Sequence, residues 1–181
     1  MINKEIKMHL ACGNDDLRPV MQYIKVNRDV CVATNAHIMA IVPTTQMFSD
    51  EFISHIPDSG VLIHKEDWKK MLGFEHATWK TNGEVIALVS EKKRNTLIEA
   101  ELEKNVNTFP NWQSVIPNEK ERTAELNTIG INFSLAFDLQ RALGITECRL
   151  QFASHNKAIY VSSRDIANKA YGVLMPVVLN H

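Results

Sequence analysis

Histidine, cysteine and clustered glutamate are the side chains through which this chain could do chemistry, and their spacing argues against it. The seven histidines, His9, His37, His55, His64, His76, His155 and His181, never fall into an H-E-x-x-H or comparable zinc-binding pattern. The three cysteines, Cys12, Cys31 and Cys148, are odd in number and lack C-x-x-C spacing, so they read as reduced thiols rather than a disulfide framework. No G-x-S-x-G elbow offers a nucleophile, and no glycine-rich loop offers a phosphate cradle. Glu99, Glu101 and Glu103 alternate and would share one strand face. That crowding suits either a metal or general acid, or simply an exposed acidic strand, and the second reading is the one taken. No metal, cofactor or catalytic residue is expected. Recognition is.

The elements that would present a recognition surface follow from periodicity. With 181 residues, the chain can hold one sizeable domain or slightly more. Its composition, 45% hydrophobic and 23% charged with net charge −1, gives no global positive field of the kind that advertises nucleic acid. The N-terminal residues carry no secretory signal pattern, and no run approaches the roughly 18 apolar residues of a membrane span, so a cytoplasmic protein is expected.

A pattern of strand, short helix and further strands recurs three times. The first unit predicts a strand over 6–12, a helix carrying Leu17, Val20, Met21 and Ile24, and strands over 29–34 and 37–42 around a tight Asn35-Ala36 turn. Residues 44–58 read as a loop with one helical turn at 51–53. The second unit predicts a strand at 60–64, a helix from Glu66-Asp67 through Trp68, Met71 and Leu72 to Gly73, and strands at 77–80, 85–89 and 95–102, with Asn82-Gly83 as a hairpin turn. Lys92-Lys93-Arg94 falls at a hairpin tip and reads as a solubilising cluster. Residues 118–125 form a charged connector. The third unit runs from 130–134 through a helix with Leu135, Leu139, Ala142 and Leu143, stopped by Gly144, to strands at 149–153, 158–162 and 172–179.

Three segments stand out from this background. They are Ala33-Thr34-Asn35-Ala36-His37-Ile38-Met39-Ala40, Phe109-Pro110-Asn111-Trp112-Gln113-Ser114-Val115-Ile116-Pro117 and the closing Tyr171–Leu179 run. Each combines apolar side chains with a turn residue, proline or a small residue, as a groove wall would; on pattern alone, Ile38, Met39, Val173 and Leu174 equally suit core strands. In order and approximate spacing the three resemble motifs of the bacterial DNA polymerase III beta sliding clamp. The first is similar to Ala-Thr-Asp-Gly-His-Arg-Leu-Ala, the second to Phe-Pro-Asp-Tyr-Arg-Arg-Val-Leu-Pro, and Leu174–Leu179 to the Val-Met-Pro-Met-Arg-Leu that ends the clamp chain.

The resemblance implies an α+β, DNA-clamp-like fold of three βαβββ units, with antiparallel sheets and helices packed on one side. Residues 1–117 would form a complete clamp-like domain, 118–127 a connector and 128–181 a half domain. It implies a non-catalytic processivity factor or clamp-derived adaptor, of the kind a phage or mobile element could carry. Polymerases or other replication and repair proteins would dock by short linear motifs in a hydrophobic groove. The matching positions are Thr34, Ala36, His37, Ile38, Met39, Pro110, Ser114, Val115, Val173, Leu174, Met175, Pro176, Val177, Val178 and Leu179. Ala36 replaces the family's turn glycine and Asn35 its aspartate. Ile38, Ser114 and Val178 stand where the family has arginine, which leaves the groove more apolar.

The family also encircles double-stranded DNA without reading its sequence, through basic residues on inward-facing helices, and does so as a homo-oligomer. Arg18, Lys25, Lys69, Lys70 and Arg141 are the candidates here, interspersed with Asp15, Asp16, Glu66, Asp67 and Asp138. Two alternatives stay open: a peptide-binding decoy or interaction module without DNA contact, and an enzyme built on this fold.

Overall fold

Strand alternation decides most of the architecture. The computed structural model describes residues 1–79, 85–89, 98–103, 109–126 and 128–179. Among the described residues ten strands form one sheet. They are β1 (Tyr23–Val26), β2 (Val30–Thr34), β3 (Ile38–Pro43), β4 (Val61–His64), β5 (His76–Trp79), β6 (Val85–Val89), β7 (Ile98–Glu103), β8 (Cys148–Gln151), β9 (Ile159–Ser163) and β10 (Tyr171–Leu174). The order across the sheet is β5-β6-β7-β4-β1-β2-β3-β10-β9-β8, and every neighbouring pair is antiparallel. The helices are α1 (Thr44–Met47), α2 (Asp50–Ser54), α3 (Lys65–Met71) and α4 (Phe133–Leu143). This is the expected mixed fold, with an antiparallel sheet and helices on one side of it.

Successive side chains of β2, β3 and β10 point to opposite faces, and both faces are covered. Cys31, Ala33, Ile38, Ala40, Val42 and Leu174 join the core beneath the helices. Val32, Met39, Ile41 and Val173 join a second cluster on the other face, under Phe109, Trp112 and Ile116. Segment 109–116 is therefore the lid of the second face, and it explains why β3 is buried at nearly every position.

Helix α4 follows from local signals. The Asn132 side-chain oxygen accepts from the Ser134 and Leu135 amides at 3.0 and 3.3 Å, satisfying free donors of the first turn. Leu139, Ala142 and Leu143 give the buried stripe, and Gly144 ends the helix in the left-handed conformation with φ 65°. The helix presses on the seam between β3 and β10 at Gly172. A β-carbon there would stand 2.8 Å from a Leu139 methyl, so only glycine fits beneath the helix.

Several sequence expectations need correction. Residues 6–12 are not a strand: Met8–Ala11 form a 3-10 turn that buries Met8 and Ala11 between α3 and α4. The helix expected over 17–24 is a single 3-10 turn, Pro19–Gln22, followed by β1. Pro19 starts that turn, but Val20, Ile24 and Val26 are β-branched, and Ile24 and Val26 alternate into the helix-side core. Residues 44–58 hold α1 and α2 rather than one turn, because Met47, Phe48, Phe52 and Ile56 anchor them in the core. The last strand stops at Leu174 instead of 179, since Pro176 has no amide to donate; beyond it the Met175 amide still donates to His37 O, and Val177 forms an isolated bridge to Gly130. The Asn82-Gly83 turn and Lys92–Arg94 lie outside the described residues.

The three units can be followed in the hydrogen bonding. In the second, β4 leads into α3 and then β5, β6 and β7; in the third, the Gly130 bridge leads into α4 and then β8, β9 and β10. The first departs most, with residues 2–3 and the 3-10 turn Met8–Ala11 standing before β1, β2 and β3. β3 and β10 pair over Ile41↔Tyr171 to Ile38↔Leu174, so the sheet runs unbroken from the first unit to the third.

Candidate functional site

The site begins with a turn that its own side chains over-determine. Between β2 and β3 the Asn35 amide donates to Ile38 O at 3.3 Å, and the Asn35 side-chain oxygen accepts from the His37 and Ile38 amides, both at 2.9 Å. Thr34 Oγ1 donates to Ile38 O at 2.8 Å while accepting from the Ala36 amide at 3.2 Å. This network holds Ala36 at φ 71°, left-handed backbone that an alanine adopts at a cost of about 1–2 kcal/mol. The turn thereby projects Ala36 and His37 beyond the sheet, and the Met175 amide donates to His37 O at 2.8 Å, tying the end of β10 to it.

Opposite the turn, Pro110 and Asn111 lead into a 3-10 turn over Trp112–Val115, with the Trp112 amide donating to Pro110 O at 2.8 Å. Between these walls lies an apolar cleft of about 190 Å³. It is lined by Met21, Thr34, Ala36, His37, Ile38, Met39, Pro110, Asn111, Trp112, Val115, Val173 and Met175. Val173 and Met39 face each other across the β3–β10 seam at its floor, while Val115 and Met175, 52% and 38% exposed, form its rim.

Of the fifteen positions named from the sequence, nine line this cleft: Thr34, Ala36, His37, Ile38, Met39, Pro110, Val115, Val173 and Met175. Six do not. Ser114 turns its hydroxyl back to Asn111 O at 2.7 Å. Leu174 alternates into the core beneath the helices. Pro176 follows the end of β10, and Val177, Val178 and Leu179 line a separate depression of about 510 Å³ beside Thr128, Ile129 and Gly130. Met21, Asn111 and Trp112 are wall residues that the sequence reading missed. Apolar spacing puts Met21 on a helix that does not form, and Asn111 and Trp112 lie within the Phe109–Pro117 motif without a groove signature of their own. Next to the cleft and sharing Met21, Ala36 and His37 with it is a polar hollow that includes Arg18, Asp15 and Asn35.

The five cations proposed for DNA do not share one surface. Lys69 on α3 and Arg141 on α4 converge on half-buried His9, whose pKa is held below the ordinary 6.5 by burial first and then by Lys69, Arg141 and Lys7, with Glu66 opposing. Lys7 and His9 thus complete a basic group on the helix layer that periodicity did not reveal. Lys70 on α3 is ion-paired with Asp67 at 2.8 Å. Arg18 is exposed at the polar hollow rather than on a helix. Lys25 lies in β1 on the face away from the helices, 5.8 Å from the Phe109 ring centre. Among the described residues no group of three or more histidine, cysteine or acidic side chains could hold a metal ion. No helix among them is long and apolar enough to cross a membrane.

An unbroken antiparallel sheet with helices on one side is a fold found in solved structures. The sliding clamp of Caulobacter crescentus superposes with a TM-score of 0.66 at 14% identity, over 97% of this chain and 62% of its own. The beta chain of DNA polymerase III from Streptococcus pneumoniae gives 0.64 at 15%, over 97% and 61%, and the sliding clamp of Pseudomonas aeruginosa, solved with a ligand, gives 0.63 at 15%, over 96% and 62%. The chain has the bacterial sliding-clamp fold. It spans about 62% of the length of those clamps. No family model matches the sequence, and no curated protein does so either. At such identities the likeness is one of fold. A related clamp from Bartonella birtlesii, with a TM-score of 0.62 at 16% identity, is described as bound to griselimycin.

Proposed function

We propose that this chain is a non-catalytic, clamp-like replication protein that docks short linear motifs of polymerases or other replication and repair proteins in the cleft between β3, Pro110–Val115 and Met175. Residues 1–117 act as a whole clamp-like domain and 128–181 as a half domain, working in the cytoplasm as part of a homo-oligomer. The observation that carries the reading is the cleft itself: three segments far apart in sequence, each resembling a clamp motif, meet around one apolar hollow. A hollow of about 190 Å³ equals roughly six waters at about 30 Å³ each, room for one large apolar side chain. Burying such an anchor contributes about 1.5–3 kcal/mol, and backbone groups at the turn can fix peptide direction. Micromolar binding follows once ordering costs are met.

The test is fluorescence anisotropy with labelled peptides carrying a leucine or phenylalanine anchor. Micromolar binding that is lost when the anchor becomes alanine supports the reading; indifference to the anchor ends it. DNA contact rests on Lys7, Lys69 and Arg141 around His9. A second reading, a peptide-binding module without DNA contact, is favoured by Lys70 being neutralised by Asp67 and Lys25 lying on the opposite face. Salt-sensitive retention on circular DNA that linearisation releases, weakened by Lys69→Glu with Arg141→Glu, decides between them.

A further inference from the structure

The first two units show how one unit completes another. The opening strand of the second unit, β4, pairs on one side with β7 of its own unit and on the other with β1, the first strand after the helical segment of its neighbour. The reciprocal seam is present in reduced form. The Ile2 amide donates to Glu75 O beside β5 at 2.9 Å, and the Asn3 amide donates to Met47 O just past β3 at 3.2 Å. Each unit thus lends its opening segment to the other, as around a pseudo-two-fold axis, and α3 packs against the 3-10 turn Met8–Ala11 between the two seams.

The third unit has the same parts but only half of these contacts. Its opening segment meets the stretch just past its own last strand, with the Val177 amide donating to Gly130 O at 2.9 Å, yet no second strand lies along 128–131 among the described residues. Its first strand after the helix, β8, pairs with β9 alone, and all four of its residues are exposed. On α4, Phe133 and Phe137 stand 82% and 57% exposed, one turn apart on one face. The described residues between β7 and Gly130, 109–126, hold short 3-10 turns and no strand or α-helix that could fill the gap.

We infer that a second copy of this chain covers these surfaces through a two-fold contact. Residues 128–131 of each copy pair with β8 of the other, and the two α4 helices pack against each other through Phe133 and Phe137. The contact repeats, between chains, the seams that join the first two units within one chain. Its chemistry agrees. Proteins blunt free sheet edges with charge, proline or a covering element, but Thr128-Ile129-Gly130-Ile131 carries no charge and faces an open depression of about 510 Å³. With a phenylalanine offering about 200 Å², Phe133 and Phe137 present roughly 280 Å². Leu150 and exposed Val177, Val178 and Leu179 raise the apolar area to roughly 600 Å² per chain, so the two copies reach the ~1,200 Å² at which specific interfaces begin. In an antiparallel α4 pair centred on Phe137, each Phe137 faces its own copy and Phe133 lies opposite Arg141.

The contact is independent of the cleft, but it sets Arg141 opposite Phe133 of the second copy and so shares that residue with the proposed DNA contact. Sedimentation equilibrium of the full chain at micromolar concentration is expected to show a dimer or an even multiple of it. Phe137→Glu and Phe137→Lys are each expected to weaken association at least ~100-fold, because a two-fold axis sets like charges face to face. Exposure of the side chain keeps the fold intact, checked by an unchanged circular dichroism melt. Mixing the two variants restores the dimer, since only then do opposite charges meet. Leu150→Lys on β8 weakens it independently. A monomeric wild-type chain, an oligomer indifferent to both charged variants, or a mixture that stays monomeric would each overturn the two-fold contact, while peptide binding in the cleft reports separately on the proposed function.

Discussion

Met175→Asp isolates the cleft from the rest of the molecule. Met175 is 38% exposed at the rim, just past the end of β10, and its amide holds the His37 carbonyl at 2.8 Å. The substitution keeps that backbone bond and takes no side chain out of the core, so the melting temperature should move by no more than about 2–4 °C, as for an ordinary surface change. Peptide binding has much more to lose. The cleft of about 190 Å³ admits one anchor, whose burial contributes about 1.5–3 kcal/mol. A carboxylate at the rim must shed water against that anchor without a partner, at a further cost of about 1–3 kcal/mol. A combined loss of about 2.5–6 kcal/mol corresponds to roughly 60-fold or more in affinity, which carries a micromolar complex toward or beyond the limit of an anisotropy titration. Met175→Leu keeps an apolar rim and should stay within about threefold of the original, a change below 1 kcal/mol. Binding that survives Met175→Asp within fivefold, with an unchanged melt, would refute the assignment of this cleft.

Other consequences concern the turn, the helix layer and the thiols. Ala36→Gly removes the left-handed strain of about 1–2 kcal/mol but gives back about 0.4–1 kcal/mol of unfolded-state entropy, so denaturant unfolding should show a net gain of up to about 1.6 kcal/mol. Because His9 is held neutral below its ordinary pKa of 6.5, the unfolded chain takes up the proton first, and stability should fall as pH drops below that value; His9→Asn should flatten this part of the profile, measured by melting at successive pH values. Burial pushes the thiols of Cys12 and Cys31 up to about 12, so a chromogenic disulfide should label Cys148 but neither of these in the native state at mildly alkaline pH, and all three in denaturant.

What could be read from the sequence was whatever depends on neighbours along the chain. The Asn35-Ala36 turn, the helix through Leu135, Leu139, Ala142 and Leu143 to its Gly144 stop, and the strands β2, β3 and β9 all obey local rules, whereas 130–134, expected as an opening strand, holds the Asn132 cap and the first turn of α4. The early segment misled because apolar spacing at Leu17, Val20, Met21 and Ile24 suits a helix, whereas the alternation of Ile24 and Val26 across β1 is fixed by the sheet neighbours β2 and β4. Leu174 and Val173 could not be told apart as core and cleft residues until the face covered by α4 was known. Met21 enters the cleft only because the turn Pro19–Gln22 folds over the outer face, and His9 gathers its cations from three separate elements. Neither fact has a signature in residue spacing.

The cleft and the basic group share one sheet and are separated by its thickness. At the β3–β10 seam, Val173 and Met39 point toward the cleft, while Leu174 and Ile38 pack beneath α4. A partner seated at Met175 therefore approaches from the face opposite to the one on which Lys69 and Arg141 surround His9. Changes at the rim should leave polyanion binding alone, and charge reversal on the helices should leave peptide binding alone, because their side chains share no contact and the seam between them is closely packed around Gly172. The seam itself is the exception. Gly172→Ala would drive its new methyl into Met39 O and the Leu139 side chain together, separating β10 from β3 and lifting α4 in one step. Loss of both proposed bindings by that single substitution, beside independent losses elsewhere, is the outcome expected of two proposed surfaces on opposite faces of one continuous sheet.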